Sequence, residues 1–385
     1  MAIAKPITIK ESKMRKLFSF LLVLLLVTVL YAPLAIADGE MVIEEAPVSE
    51  NWIDRHNILP VLEGHFYYGL ALKQCNNITC AAAQYDNTFG INRFYFGLKG
   101  DITDHVGFNF TFDANRAIAD YATAGNVFVK YAYLVFKDYD AAPGLSFIVG
   151  QQASPYVAHV EDVWGWRLFA PTFLHMNGYL NEADLGLTVK YMFPSEYGDL
   201  QVSLFNGAGF AAIDNDNYKD TELKLTLRPF ENKNWFATFM GNFGFQGDSS
   251  NYFYRTGAIL GYKETNKVTF ALEGLFASDE QAATIVGTQP SVGATPLGYG
   301  GAMYAELFFY WWGDVGSKFS LVARADYLNP DTDVNSNWHY RAMGGLAYNY
   351  NKYFKFLVGY DHANYATGAA QQGENTAFLM MQANL

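Results

Sequence analysis

The stretch 153–182 carries Pro155, His159, Glu161, Asp162, Trp164, Trp166, Arg167, Pro171 and His175. Of these, two acids, a guanidinium group and two imidazoles share the stretch with several Trp, Phe and Leu residues. Its carboxylates, set against bases on facing strands, would create a transverse electric field. Such a field orients dipolar solutes, and rings of charge raise or lower the barrier for ions of one sign. Arg93 and Lys130 are the candidate opposing bases, with Arg116 beside them. Glu273, Glu306, Arg324 and Arg341 are the other charged wall positions singled out. The alternative is that these groups solvate a polar interior and pair with one another. On the field reading, charge reversal at Glu161 and Asp162 shifts ion selectivity, and unchanged selectivity in the double variant counts against it.

Other chemistry is sparse. Cys75 and Cys80 are the two cysteines, with four residues between them, and in an exported chain they are expected to close a small disulfide loop. A metal centre there would need further soft ligands, and none is near. Asp331, Asp333, Asn335 and Asn337, and separately Asp214 and Asp216, could offer oxygen ligands to Ca²⁺. They lack the Gly and the terminal Glu of an EF-hand loop, and turn chemistry explains them equally well. No metal site and no cofactor is expected. Nor is an enzyme: Asp361 and His362 are neighbours on a strand and face opposite ways, and there is no Gly-x-Ser-x-Gly.

The chain has 385 residues, 26 Lys+Arg against 38 Asp+Glu, a net charge of −12, 17% charged and 17% aromatic residues. So many aromatics exclude a disordered chain. The acidic balance argues against a nucleic-acid partner, and two cysteines cannot staple a chain of this length. Lys13, Arg15 and Lys16 precede an apolar run from Leu17 to Leu30, followed by Pro33 and Ala35-Ile36-Ala37. This is the three-part pattern of a secretory signal peptide over 1–37. Without it the chain carries 21 basic and 37 acidic residues, a net of −16. Residues 38–58 form a short acidic lead, and no apolar run of about 20 residues follows, as a helical bundle would need.

From residue 59 to 385 the chain repeats segments of about ten alternating residues separated by turn chemistry, the signature of a transmembrane β-barrel. Leu321, Ala323 and Ala325 interleave with Ser320, Val322, Arg324 and Asp326. Phe356, Val358 and Tyr360 interleave with Lys355, Leu357, Gly359 and Asp361. A period of two gives each set one face. If the cleaner apolar set meets lipid, the other set meets water. Sixteen strands are expected near 61–72, 89–100, 105–114, 127–137, 145–152, 183–193, 199–206, 219–229, 234–244, 252–264, 266–277, 299–312, 318–328, 338–349, 353–364 and 375–385, with fourteen or eighteen as alternatives. Short and long connections alternate, so the expected fold is an all-β, antiparallel, up-and-down barrel. Aromatics such as Tyr67-Tyr68, Tyr131 with Tyr133, and Phe308 to Trp312 read as interfacial girdles. Residues 153–182 are then the third and longest external loop. They are too apolar to float in water and are expected to fold into the lumen; an external cap is the alternative.

Leu145-Ser146-Phe147-Ile148-Val149-Gly150-Gln151-Gln152 followed by Ser154-Pro155 resembles a strand running into a constriction loop through a VGQ…P corner. Gly186-Leu187-Thr188-Val189 with Leu204-Phe205-Asn206-Gly207, and Arg324-Ala325-Asp326-Tyr327-Leu328-Asn329-Pro330-Asp331 with Gly344-Gly345 and Tyr348, complete the pattern. In order and spacing these resemble the outer-membrane porins described as phosphate-selective porins O and P. The chain departs from that pattern at Gln152, where the family's corner has Phe, and at Leu385, where its barrels end in an aromatic residue. It also lacks a dense ladder of lumenal Arg. The resemblance implies a bacterial outer-membrane channel for small hydrophilic solutes or ions, including anions such as phosphate. It also implies homotrimers and contact with outer-membrane lipid and lipopolysaccharide. A structural or adhesin barrel without a conducting pore, or a barrel hydrolase, are the competing classes.

Overall fold

Alternating strands have two demands: a hydrogen-bonding partner on both edges and an apolar medium on one face. The computed structural model describes residues 57–73, 85–115, 126–137, 139–214, 216–246, 248–279, 297–334, 337–365 and 374–384. Segment 1–37, most of the acidic lead, Cys75, Cys80, Arg116 and Asn335 lie outside the described residues. The strands are β1 (Leu59–Lys73), β2 (Tyr85–Thr103), β3 (Val106–Asn115), β4 (Asn126–Phe136), β5 (Leu145–Ala153), β6 (Ala183–Met192), β7 (Gly198–Phe205) and β8 (Asp220–Leu227). They continue as β9 (Trp235–Gln246), β10 (Asp248–Glu264), β11 (Val268–Ser278), β12 (Leu297–Phe308), β13 (Phe319–Asn329), β14 (His339–Asn349), β15 (Phe354–Tyr365) and β16 (Glu374–Asn384). Each pairs antiparallel with its sequence neighbours. β1 also pairs with β16, from Glu63 opposite Asn384 to Lys73 opposite Glu374, which closes the barrel and leaves no open sheet edge.

The faces follow the period of two. Along β11, Phe270, Leu272 and Phe276 are exposed on the outside, while Thr269, Ala271, Glu273, Leu275 and Ala277 are buried within. Along β13, Leu321 and Tyr327 face out and Ser320, Val322, Arg324, Asp326 and Leu328 face in. Outward rings gather at both ends. Trp235, Tyr310, Trp311, Trp312 and Tyr350 are exposed beside the short connections, and Phe89, Tyr252, Phe276 and Tyr299 near the opposite ends. Such belts suit a headgroup boundary.

Three expectations need correction. Tyr67 is not a girdle residue: it is 7% exposed and belongs to the buried cluster. Tyr131 and Tyr133 also turn inward, for a reason that lies in the register of β4. The strand expected over 299–312 ends at Phe308, and Tyr310–Trp312 form a 3₁₀ turn in the connection to β13.

The third correction is physical. The inward set does not simply meet water. Ile259, Leu275, Tyr304, Val322, Leu328, Met343, Ala347, Leu357 and Met380 point in and are buried, in one cluster with Tyr156, Val160, Trp164, Leu168 and Phe173 from the segment between β5 and β6. The wall of β10–β16 is thus partly apolar, and that segment covers it.

The outward set carries the fold's interaction with its surroundings. Leu272→Arg, an exposed outward position in the middle of β11, should lower barrel stability in lipid by about 2–4 kcal/mol. Urea unfolding in vesicles reads this, and an unchanged midpoint would contradict the assignment of faces.

Candidate functional site

Residues 154–182 leave β5, cross to the far strands and return to β6. The first part is α1 (Pro155–Trp164). Pro155 supplies a fixed φ where no amide hydrogen bond is needed, Ser154 Oγ accepts from the Val157 amide at 3.3 Å, and Gly165 ends the helix at φ 66° with its N–H on the Glu161 carbonyl at 2.8 Å. A short turn, α2 (Phe173–Met176), follows. The apolar face of α1 buries Tyr156, Val157, Val160, Val163 and Trp164.

The segment touches inward-pointing side chains around the barrel. On β8, Glu222 accepts from Ser154 Oγ at 3.0 Å and from the Tyr156 amide at 2.9 Å. On β9, Thr238 Oγ1 lies 2.8 Å from His159 Nε2. Lys263 of β10 is 3.2 Å from an Asp162 oxygen. Tyr304 of β12 accepts from the Phe173 amide at 3.2 Å, Arg324 of β13 donates to the Pro171 carbonyl, and His339 of β14 meets Asn177 at 3.1 Å. Lys355 of β15 donates to the Gly165 carbonyl at 2.6 Å and lies 4.5 Å from the Trp166 ring centroid.

The return of the segment ends on one carboxylate. Glu182, 3% exposed, takes Arg93 Nη2 at 2.7 Å and 3.0 Å on its two oxygens, Lys130 Nζ at 2.6 Å, and the Arg167 guanidinium. His175 Nε2 lies 3.3 Å away. Arg93 Nε is also 3.5 Å from Asp113, and Arg167 Nε donates to Glu161 at 2.9 Å. Three bases therefore meet three acids. Charge-assisted bonds of this kind are shorter and stronger than neutral ones.

Two β-bulges aim the wall bases. His65 pairs with Arg93 but Phe66 with Ile91, so Asn92 is an extra residue in β2. Thr111 pairs with Tyr131 but Phe112 with Val129, so Lys130 is extra in β4. Each bulge lets two consecutive residues turn inward: Arg93 reaches Glu182 while Asn92 donates to the Leu168 carbonyl at 3.5 Å, and Lys130 reaches Glu182 while Tyr131 takes the inward position.

The electrostatics of the segment follow from burial. Burial alone would push the Glu182 carboxyl up, but Lys130, Arg93 and Arg167 outweigh it and hold it far below the ordinary carboxylate range. Glu161, half-buried, is pushed up by loss of water and by the neighbouring Glu182 charge. Burial lowers His175 to about 4 and His159 to about 3.

On the side away from the apolar cluster a cavity of about 350 Å³ lies between α1 and the wall of β4–β8. Lys190, Lys224 and Arg228 line it, with Asp199 as the acid. Lys224 is held by Asp199 at 2.7 Å, whereas no acid lies within 4 Å of Lys190 or Arg228 among the described residues. Bases elsewhere on the inner face are mostly committed: Arg255 to Asp279, Arg324 to both oxygens of Asp326, and Arg341 to Asp361.

The residues singled out in the sequence thus separate. Arg93, Lys130, Arg167 and Glu161 come together around Glu182, which sequence reasoning missed. Asp162 is set apart; its side chain is 75% exposed and meets Lys263. Trp164 stands against Tyr304 at 5.4 Å between ring centroids, with Arg324 close by, and Glu273 accepts from Tyr304 at 2.5 Å. Glu306 accepts from Ser320 at 2.8 Å. Arg324 and Arg341 are occupied by acids on their own or adjacent strands. The missed signal was parity: Glu182 lies two residues before the inward-facing Asp184.

Glu182→Gln keeps the shape and removes the charge that three bases share. It should destabilise the barrel by about 3–5 kcal/mol, because the bases are left buried without it. Asp162→Asn should cost under about 1 kcal/mol, as for an exposed pair. Urea unfolding of the two variants checks the contrast, and equal midpoints would contradict it. The two histidines resist protonation in the folded state more than in the unfolded chain. Their contribution to stability is complete above pH 6.5 and is lost as pH falls toward about 4 for His175 and about 3 for His159. Replacing both by Gln should flatten the loss of melting temperature between pH 7 and 4, and an unaltered pH profile would refute this.

No family model and no curated protein matches this chain. Solved structures do. It is similar to OprB of Pseudomonas putida at high pH, with 12% identity over 86% of this chain and 95% of that one and a TM-score of 0.60. It is similar to the outer membrane channel DcaP of Acinetobacter baumannii, with 11% identity over 85% and 97% and a TM-score of 0.59. The OmpF of Salmonella typhi, in complex with daunomycin, matches at 12% identity over 88% and 100% with a TM-score of 0.59. At these identities the likeness establishes the fold: this chain is a closed antiparallel β-barrel built as in those outer-membrane proteins.

Proposed function

We propose that the chain is a porin of the bacterial outer membrane, a water-filled passive diffusion channel for small hydrophilic solutes and ions. In this reading residues 154–182 lie in the lumen and narrow it. The observation that carries it is the set of contacts of that one segment: it bonds to inward-pointing side chains of β8, β9, β10, β12, β13, β14 and β15, and at Glu182 to those of β2 and β4. A segment that spans opposite sides of a closed barrel in this way has the interior as its economical position. It leaves the β4–β8 side open.

Selectivity follows from where uncommitted charge lies. The Glu182 cluster is balanced and buried. The cavity beside α1 carries three bases and one acid, so anions are favoured there despite the acidic chain as a whole. Acids in exposed loops are screened within about 8–10 Å at physiological salt. Lipid and lipopolysaccharide around the belt and a homotrimeric assembly complete the reading, the latter by resemblance.

Planar-bilayer recording of the mature chain under a salt gradient tests this. Discrete open steps with a reversal potential of anion-selective sign are expected. A folded barrel that gives no steps would overturn the channel and favour a structural barrel. Steps of cation-selective sign would overturn the anion preference.

A further inference from the structure

The cavity between α1 and β4–β8 has a mixed lining. Lys190, Lys224 and Arg228 supply charge, with Gln201 held toward Asp199 at 2.7 Å. Ile148, Met192 and the Tyr133 ring supply apolar surface beside them, Met192 two residues from Lys190 on β6, and Pro155 and Ala158 of α1 add to it. Ile148, Met192 and Tyr133 are only half-buried, whereas their counterparts across the barrel are sealed beneath the segment. A passage for inorganic ions gains nothing from such a surface. A hydrated phosphate would pass it without releasing water from apolar area. A carboxylate with a short hydrocarbon body can use both kinds of lining at once, its anion near Lys190 and Arg228 and its body on Ile148 and Met192. A volume of about 350 Å³ suits a solute of that size.

We propose that this cavity is a binding subsite for small organic monocarboxylates with an apolar body, through which the channel favours them over inorganic anions. The inference rests on the porin reading for its role in transport, while the binding itself is independent of it. Lys190 and Arg228 supply the charge, and neither has an acid within 4 Å among the described residues. Lys224, also in the lining, is already bonded to Asp199.

Equilibrium binding of acetate, butyrate and hexanoate to the folded full chain in detergent, against the Lys190→Gln/Arg228→Gln variant in the same detergent, tests it. Heat-modifiable gel mobility confirms that the variant is folded. Affinity of the unaltered protein should rise about two- to fourfold per added methylene, and the variant should lose at least tenfold for hexanoate. Inorganic phosphate should compete weakly. Equal hexanoate binding by the two proteins, or phosphate displacing hexanoate at equal concentration, would overturn the proposal. Bilayer recording separates the two readings. Open steps without specific hexanoate binding remove the subsite and keep the channel, while binding without steps does the reverse.

Discussion

Glu182 sits where the long segment between β5 and β6 rejoins the wall, and its carboxylate is shared by Arg93, Lys130 and Arg167. A buried anion is tolerable only when such partners replace the water it has lost. The partners are available only because β2 and β4 each carry an extra residue at the right height. Remove either bulge and the alternation of that strand shifts its remaining side chains to the other face. The position of the segment, and with it the division of the interior, depends on this meeting of one loop acid with two re-aimed wall bases.

That division is the main feature of the interior. On β10–β16 many inward positions are Leu, Ile, Val, Met and Tyr, between charged groups paired with one another, and α1 and its continuation pack on the apolar ones as a core. On β4–β8 the inward positions include Lys190, Gln201 and Lys224, and a cavity remains beside them. The segment thus acts on the interior as one layer acts on another in a soluble protein, with an apolar contact on one side and a solvated face on the other. Glu222 at the start of α1 and Lys355 at its end fix the two ends of the helix.

Much of this was legible in the sequence. The sixteen strands, their faces and the closure follow from period-two alternation, because a closed barrel offers lipid one set of side chains and the interior the other. The parity of Leu321 and Arg324, or Val358 and Asp361, needed no further information. The partners inside were harder to read. Alternation says that Arg93 and Lys130 face in, and the acid-bearing segment says that something opposes them, but the acid bonded to both is Glu182. Glu161 is turned to Arg167 and Asp162 to Lys263. The bulges did leave a trace: outward residues run Phe89 and Ile91, then Phe96 and Leu98, and likewise Val127 and Val129, then Leu134. Each is a change of phase. What no pattern could give is that the apolar inward side chains of β10–β16 are covered by the segment while the wall of β4–β8 keeps a cavity, since the segment is not periodic itself.

Cysteine accessibility tests this division most directly. In a chain with Cys75→Ser and Cys80→Ser, Gln201→Cys places a thiol on the inward face of β7 beside the cavity, and Leu275→Cys places one on the inward face of β11 under the segment. A charged methanethiosulfonate reagent added to the folded barrel should label the first within minutes and leave the second unmodified until unfolding. Equal labelling of the two would contradict the account.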